Sequence, residues 1–334
     1  MVWHTSLFFA GRFRCANIHS TVKQARISRD DLAVEAFCEL NRKFCLADGS
    51  GSNNEDKRWF CHTLRLWSQP AAPWRRGDTC SRNSEQQAVR LQQAAVRNAE
   101  FLLTALRPNG KLCRVWRDGS TTDAVFLEDY AALVLGLLEL YQTDFDNKWF
   151  ASAVELADEM IEKFSDPDGG FFDTPHDGEP LLIRPKDIFD NATPSGNALA
   201  CEALLKLAEF SGEGKYRDLA EKALQLVVGM ATRYPTAFGR WLSAAELALG
   251  NMKQIAVVYE AGSEDVSEML RFIRSEFRPN VIVAASTFPP SEDAPPLLKN
   301  RPLKDDKSTV YVCERFVCKN PVTSISDLQE LLNL

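Results

Sequence analysis

Four carboxylates stand where a chain of helices could bring them to one place. Glu128 and Asp129 open an apolar segment, Asp173 follows a double phenylalanine, and Asp190 precedes another apolar run. Paired carboxyl groups roughly 5–10 Å apart are the apparatus of glycoside hydrolysis. Their neighbours suit the same ligand class. Trp116, Arg117 and Asp118 form a Trp-Arg-Asp-Gly step, and Phe172 precedes Asp173. Asn191, Ser195 and Asn197 close the stretch Asp-Asn-Ala-Thr-Pro-Ser-Gly-Asn, and Arg184 and Lys186 could hold an anionic group. Aromatic faces stack on sugar rings while acids accept from hydroxyls.

Each residue also has a structural reading. Glu128 and Asp129 suit a first helical turn, where the dipole favours acids. Asp173 suits an Asx turn. Asp190 and Asn191 could cap the following helix, with Thr193 or Ser195 at the N-cap itself. Arg184 and Lys186 could pair with the neighbouring acids.

Most of these residues lie in one long connection, Gly169–Asn197, with four glycines, three phenylalanines and four aspartates. Simple connections run about 2–8 residues, so a loop of this length and composition is where function is expected.

The flanking elements are helical and alternate in type. Segments 126–141, 195–210 and 236–249 are apolar nearly all round. Segments 84–106, 148–164 and 215–231 carry one stripe, such as Phe150, Val154, Ala157, Ile161 and Phe164. In segment 84–106 the stripe runs through Val89, Ala95, Leu102 and Leu106. Helices apolar all round are buried and single-stripe helices lie outside them. The fold expected is mainly α: a partial α/α toroid of about three hairpins over 85–250. An ordinary two-layer helical bundle is the alternative. Loops preceding the inner helices would face one funnel.

From residue 251 to 334 the period changes. Ile255–Tyr259 and Asn280–Ala285 read as strands around a helix over 264–277, and Thr309–Val312 as a third strand. A final helix over 324–332, with Ser326 as its N-cap, closes a small α/β lobe. Residues 1–84 read as irregular apart from a short helix over 30–44. The first 29 residues carry five basic side chains and no acid, a weak match to a mitochondrial presequence. A poorly ordered or non-native leader is the plainer reading.

Bulk properties exclude some functions. The net charge is −7, which leaves no basic field for nucleic acid. No apolar run reaches the roughly 20 residues of a membrane helix. Nine cysteines occur without any Cys-x2-Cys pair, so no zinc site, redox motif, metal or cofactor is expected. A reducing, cytoplasmic setting is the default. Cys313 and Cys318, five apart, would fall on opposite faces of a single strand. Unpaired thiols are therefore expected, with a disulfide or a metal pair as alternatives.

The ordered motifs WRDG (Trp116–Gly119), FLEDYA (Phe126–Ala131), GGFFDT (Gly169–Thr174), RPKDIFDNATPSGN (Arg184–Asn197) and YVCERFVCKNPVTS (Tyr311–Ser324) carry a resemblance. From about Asn98 onward the chain resembles thioredoxin-domain-containing proteins related to spermatogenesis-associated protein 20. The resemblance implies a six-hairpin toroid like those of N-acylglucosamine 2-epimerases and six-hairpin glycosidases, hence a small carbohydrate ligand. The family's thioredoxin-like domain and first hairpins have no counterpart here, so no redox activity is implied. Epimerases of this fold use paired histidines, whereas His176 is alone in the matched region. A part-ring would also expose apolar flanks and self-associate through its open side. A non-catalytic interaction module is the alternative function.

Overall fold

The computed structural model describes residues 81–122 and 124–332. The expectations for the leader, for a helix over 30–44 and for the five cysteines up to Cys80 lie outside the described residues. Eight α-helices occur among those described: α1 (Ser81–Thr104), α2 (Leu127–Asp144), α3 (Asn147–Phe164), α4 (Gly196–Ser211), α5 (Gly214–Arg233), α6 (Gly239–Leu249), α7 (Asp265–Ile273) and α8 (Ile325–Leu332). None is long and apolar enough to cross a membrane.

The alternation of helix type becomes a two-layer arrangement. α2 packs on both α3 and α4, and α4 packs in turn on α5 and α6. α4 is buried nearly all round, from Asn197 through Phe210, as its unbroken apolar sequence requires. α3 buries one stripe, Trp149, Phe150, Ala153, Leu156, Ala157, Met160 and Phe164. α5 does the same through Tyr216, Ala220, Ala223, Val227 and Ala231. α1 differs from expectation. Its deepest residues are Leu91 and Ala99; of the expected stripe Ala95 packs on the core and Leu106 is buried just past the helix end, but Val89 points outward at 51% exposure.

Tight turns join these helices. α2 ends where Phe145 takes a left-handed conformation at φ 59°, and Asp146 caps α3 by accepting from the Lys148 amide at 3.1 Å. α4 ends on Gly212, left-handed at φ 74°, a conformation that glycine adopts without strain.

The C-terminal residues form a four-stranded sheet, in the order β4–β3–β5–β6. Its strands are β3 (Lys253–Tyr259), β4 (Val281–Thr287), β5 (Thr309–Glu314) and β6 (Val317–Cys318). β3 and β4 are parallel across α7, and β5 runs antiparallel to β3. Side chains alternate faces with period two. Ala256, Val258, Ala284 and Tyr311 join the helical core, while Ile255, Val257, Val283 and Val312 meet α7 and α8. The sheet lies at the C-terminal ends of α2 and α4. There Gln142 Oε1 accepts from the Val283 amide at 2.9 Å, and Tyr141 meets Phe210 edge-on at 5.5 Å. The last helix is capped by Ser324, whose hydroxyl accepts from the Asp327 amide at 3.2 Å, rather than by Ser326.

The expectation of unpaired thiols is corrected. Cys313 and Cys318 form a disulfide. The chain reverses at Arg315 and Phe316, so the two cysteines sit opposite each other on neighbouring strands, facing the same side. The alternation argument holds only along a single strand.

Candidate functional site

The N-terminal ends of α2, α4 and α6 are tied together by the long connection between α3 and α4. The Leu127 amide at the start of α2 donates to the Asp173 carbonyl at 3.0 Å. Gly196, first residue of α4, lies so close to α2 that a Cβ there would meet the Glu128 amide nitrogen at 3.2 Å. The Ser195 hydroxyl donates to the Asp187 carbonyl at 2.8 Å. Asp190 accepts from the Ser195 amide at 2.8 Å and from the Arg240 amide at 2.7 Å, bridging the starts of α4 and α6. Three helices, α2, α4 and α6, thus present their N-termini at one end, opposite the sheet.

A hairpin leads into α2. β1 (Trp116–Arg117) pairs with β2 (Ser120–Thr121) across Asp118 and Gly119, both at positive φ. An Asp-Gly pair is suited to this tight turn. The hairpin base delivers Arg114, whose Nη2 lies 2.7 Å from Glu128 Oε1 and whose Nη1 lies 3.7 Å from Asp129 Oδ1. Its guanidinium also covers the Phe126 ring at 4.8 Å. Nothing in the motif reading singled out Arg114, which stands two residues before the Trp-Arg-Asp-Gly step.

Asp129 is the most unusual acid here. One oxygen, Oδ2, accepts from the Phe126 amide at 2.9 Å, half of a capping box. The other, Oδ1, is buried and has no hydrogen-bond partner in the protein. Burial is the main cause that pushes its carboxyl up to about 7, with the Arg114 charge opposing. Asp173 is raised too, chiefly by burial, against a hydrogen bond from the Asp187 amide; the Asp187 and Glu128 charges add to the rise. Glu128, Asp129 and Asp173 therefore share one field, with Arg114 as a neighbouring cation. That set can hold a proton on one carboxyl near neutral pH while a second, paired with Arg114, accepts from a ligand.

The remaining expected residues are placed as follows. Asp190 carries a raised carboxyl, mainly through burial, and both its oxygens receive backbone amides. Asn197 is fully buried. Its Oδ1 accepts from the Phe171 amide at 2.7 Å and its Nδ2 donates to the Phe171 carbonyl at 2.8 Å, pinning the loop like a missing strand. Lys186 pairs with Asp166 and donates to the Gly169 carbonyl at 2.7 Å. Arg184 donates to the Thr174 carbonyl and lies over the Phe172 ring at 4.1 Å, covering the face a sugar would need. Ser195 stands at the N-cap of α4, but its hydroxyl turns to Asp187 rather than to the helix. Asn191 is exposed in the turn before α4, its amide donating to the Thr193 carbonyl at 3.0 Å. Trp116 is 42% exposed and meets Phe101 edge-on at 5.4 Å. Arg117 and Asp118 project at the hairpin tip, their charged groups 3.7 Å apart. His176 is exposed beside the Lys163 carbonyl.

A second polar group runs down the inner helices from this end. Glu202 lies 2.5 Å from Arg240 and 3.3 Å from Lys206, which reaches Glu139 at 2.7 Å. Buried charges persist only when paired, and this chain of alternating sign pairs each one across α2, α4 and α6. Sequence reading missed it, because single charges inside apolar runs give no hint of their partners.

No family model matches the chain. Curated relatives do. Spermatogenesis-associated protein 20 of Mus musculus is 30% identical over 213 residues, covering 62% of this chain and 27% of that protein. The Homo sapiens protein of the same name gives the same identity and coverage. An uncharacterized protein of Caenorhabditis elegans is 25% identical over 338 residues, covering 96% of this chain and 46% of its own length. The chain is thus related to spermatogenesis-associated protein 20, and spans about a quarter of the length of the mammalian proteins it matches.

Proposed function

We propose that this chain is a segment of an α/α toroid whose helix-start end binds a carbohydrate, with Glu128, Asp129 and Asp173 as the working carboxyls. The observation that carries the reading is Asp129: a buried carboxyl with one oxygen that receives no hydrogen bond and stands 3.7 Å from Arg114, beside Glu128. A protein gains nothing in stability from such a group, and perturbed acids concentrate at functional sites. Asp129 would donate its proton to a leaving or ring oxygen. Glu128, whose Oε1 lies 2.7 Å from Arg114, would accept from a hydroxyl or develop a bond to the sugar carbon. Trp116, half-exposed on the hairpin, would supply the apolar wall. Asp190, Asn197, Arg184 and Lys186 would position the loop rather than touch ligand.

The two-layer alternation of α2–α6 supports the toroid, since each inner helix needs an outer partner and inner neighbours on both flanks. On this reading the free flank of α6, with Leu242 and Leu249 exposed, is where a second copy would pack. Kinship with longer proteins carries no activity to this chain.

The test is calorimetric titration of the full chain with a panel of mono- and disaccharides at pH 7. Saturable binding by one class, weakened at least tenfold in Glu128→Gln and Asp129→Asn, is expected. Absence of binding across the panel, or binding indifferent to both substitutions, overturns the reading.

A further inference from the structure

The disulfide lies at the other end of the molecule from the carboxyls, in a hairpin built like a latch. Cys313 is buried in β5, while Cys318 is partly exposed on β6, the edge strand of the sheet. β6 is only two residues long. The turn between the cysteines places Arg315 at φ 50° and Phe316 at φ 64°. Consecutive left-handed residues make the tight turn that suits twisted strands, but the residues that favour it are Asn and Gly. Arginine and phenylalanine adopt it at a cost, so other contacts must hold the turn shut.

Those contacts are specific. The Phe316 amide donates to Gln254 Oε1 at 3.0 Å, and the Phe316 ring covers Gly212, where a Cβ would meet it at 3.4 Å. The Nε2 of Gln254 donates to Glu209 near the end of α4. Glu209 also pairs with Arg217 at 3.1 Å, and Arg217 donates to the Ala248 carbonyl of α6 at 2.7 Å. Gln254 thus couples the hairpin turn to the C-terminal ends of α4 and α6 through the buried Glu209 and the partly exposed Arg217. Beyond the short β5–β6 ladder, the Lys319 amide donates to the Val312 carbonyl at 3.0 Å, and Val310 and Val322 exchange two backbone hydrogen bonds that anchor the strand's far end.

We propose that Cys313–Cys318 is a thiol–disulfide exchange site that accepts a dithiol reductant, and that its reduction unlatches this hairpin from α4 and α6. A thiolate of the reductant attacks the accessible Cys318 sulfur, forming a mixed disulfide, and Cys313 leaves as a thiolate that takes up a proton. The reductant's second thiol then resolves the mixed disulfide, releasing the Cys318 thiol. Two electrons and two protons pass from the dithiol, which becomes the disulfide. Without the crosslink the strained turn relaxes, the Phe316 ring leaves Gly212, and Gln254 loses one of its two partners.

The test uses the full chain, oxidised or equilibrated with dithiothreitol. Peptide-resolved alkylation and mass spectrometry then separate Cys313 and Cys318 from the other seven cysteines. Both should resist alkylation until dithiothreitol is added. Hydrogen exchange should then rise at least tenfold at the Phe316 and Lys319 amides, and measurably over 207–213, with α2 and α3 unchanged. Cys318→Ser, which alters the exposed partner and leaves the buried one in place, should show the open pattern with or without reductant. Alkylation of both cysteines before reduction overturns the proposal, as does unchanged exchange in the reduced hairpin. Uniform loss of protection throughout the molecule also overturns it, since that would mark global unfolding rather than a latch.

Discussion

Replacing Asp129 by asparagine should stabilise the protein at neutral pH and flatten its pH dependence. A carboxyl titrates at about 3.9 in an unfolded chain, whereas burial lifts Asp129 to about 7 in the fold. The sign follows from proton binding. Between these two values the native state holds a proton on Asp129 that the unfolded state has released, so stability falls as pH rises through that window. Above the folded value the loss is complete. At about 1.4 kcal/mol for each tenfold difference, the full cost is about 4 kcal/mol, and more than half of it accrues between pH 5 and pH 8. Asparagine keeps an oxygen to accept from the Phe126 amide and cannot ionise.

The assay is urea denaturation of both proteins at pH 5, 6, 7 and 8, comparing midpoints at a common slope. The wild type should lose more stability than the variant over this range, by about 2–3 kcal/mol. Parallel pH profiles would refute the assignment, because they would mean that Asp129 is ionised throughout and that Arg114, 3.7 Å away, satisfies it. A variant that gains stability while losing saccharide binding would join both halves of the argument, since functional groups are commonly held at the expense of stability.

Asp190→Ala should destabilise the fold by about 2–4 kcal/mol, because two amides at the starts of α4 and α6 lose a charged acceptor. Urea unfolding checks this, and a loss under about 0.5 kcal/mol would show that the bridge is dispensable. The open flank of α6 predicts self-association, visible by light scattering as a mass above one chain. Leu242→Glu with Leu249→Glu should restore the monomer, and a wild type monomeric at high concentration would refute an interacting flank.

Helix order, and the type of α2 to α5, were legible because they rest on apolar periodicity, which depends only on neighbours in sequence; α6, expected to be buried all round, instead buries one stripe through Trp241, Ala244, Leu247 and Ala248 and leaves Leu242 and Leu249 exposed. Stripe rotation was less so. On α3 the deepest residues include Trp149, Ala153, Leu156 and Met160, whereas Val154 and Ile161 from the expected stripe are partly buried. A stripe wide enough to pack on one helix at an angle leaves its centre undefined until the partner is placed. α1 missed by more, since Val89 faces out: its packing on α2 is light, so its rotation is set by a few side chains such as Phe101 against Trp116. The sheet's strands were legible as β-rich runs, yet the hairpin at Arg315 and Phe316 was not, because neither residue is a turn former. Its signal was the cysteine pair itself, whose five-residue spacing suits opposite positions across a two-residue turn.

The acids show why a site is harder to read than a fold. Asp129 and Asp190 are both aspartates just before or within the first turn of an apolar helix, and sequence cannot separate them. In the structure, Asp190 has an amide on each oxygen, whereas Asp129 has one on Oδ2 alone. The difference arises from distant chain segments. Asp190 faces the start of α6, 50 residues away, which offers a free amide. Asp129 faces Arg114, which already engages Glu128 at 2.7 Å and stands off at 3.7 Å. One acid is thereby consumed in joining two helices, and the other keeps a buried oxygen that receives no hydrogen bond.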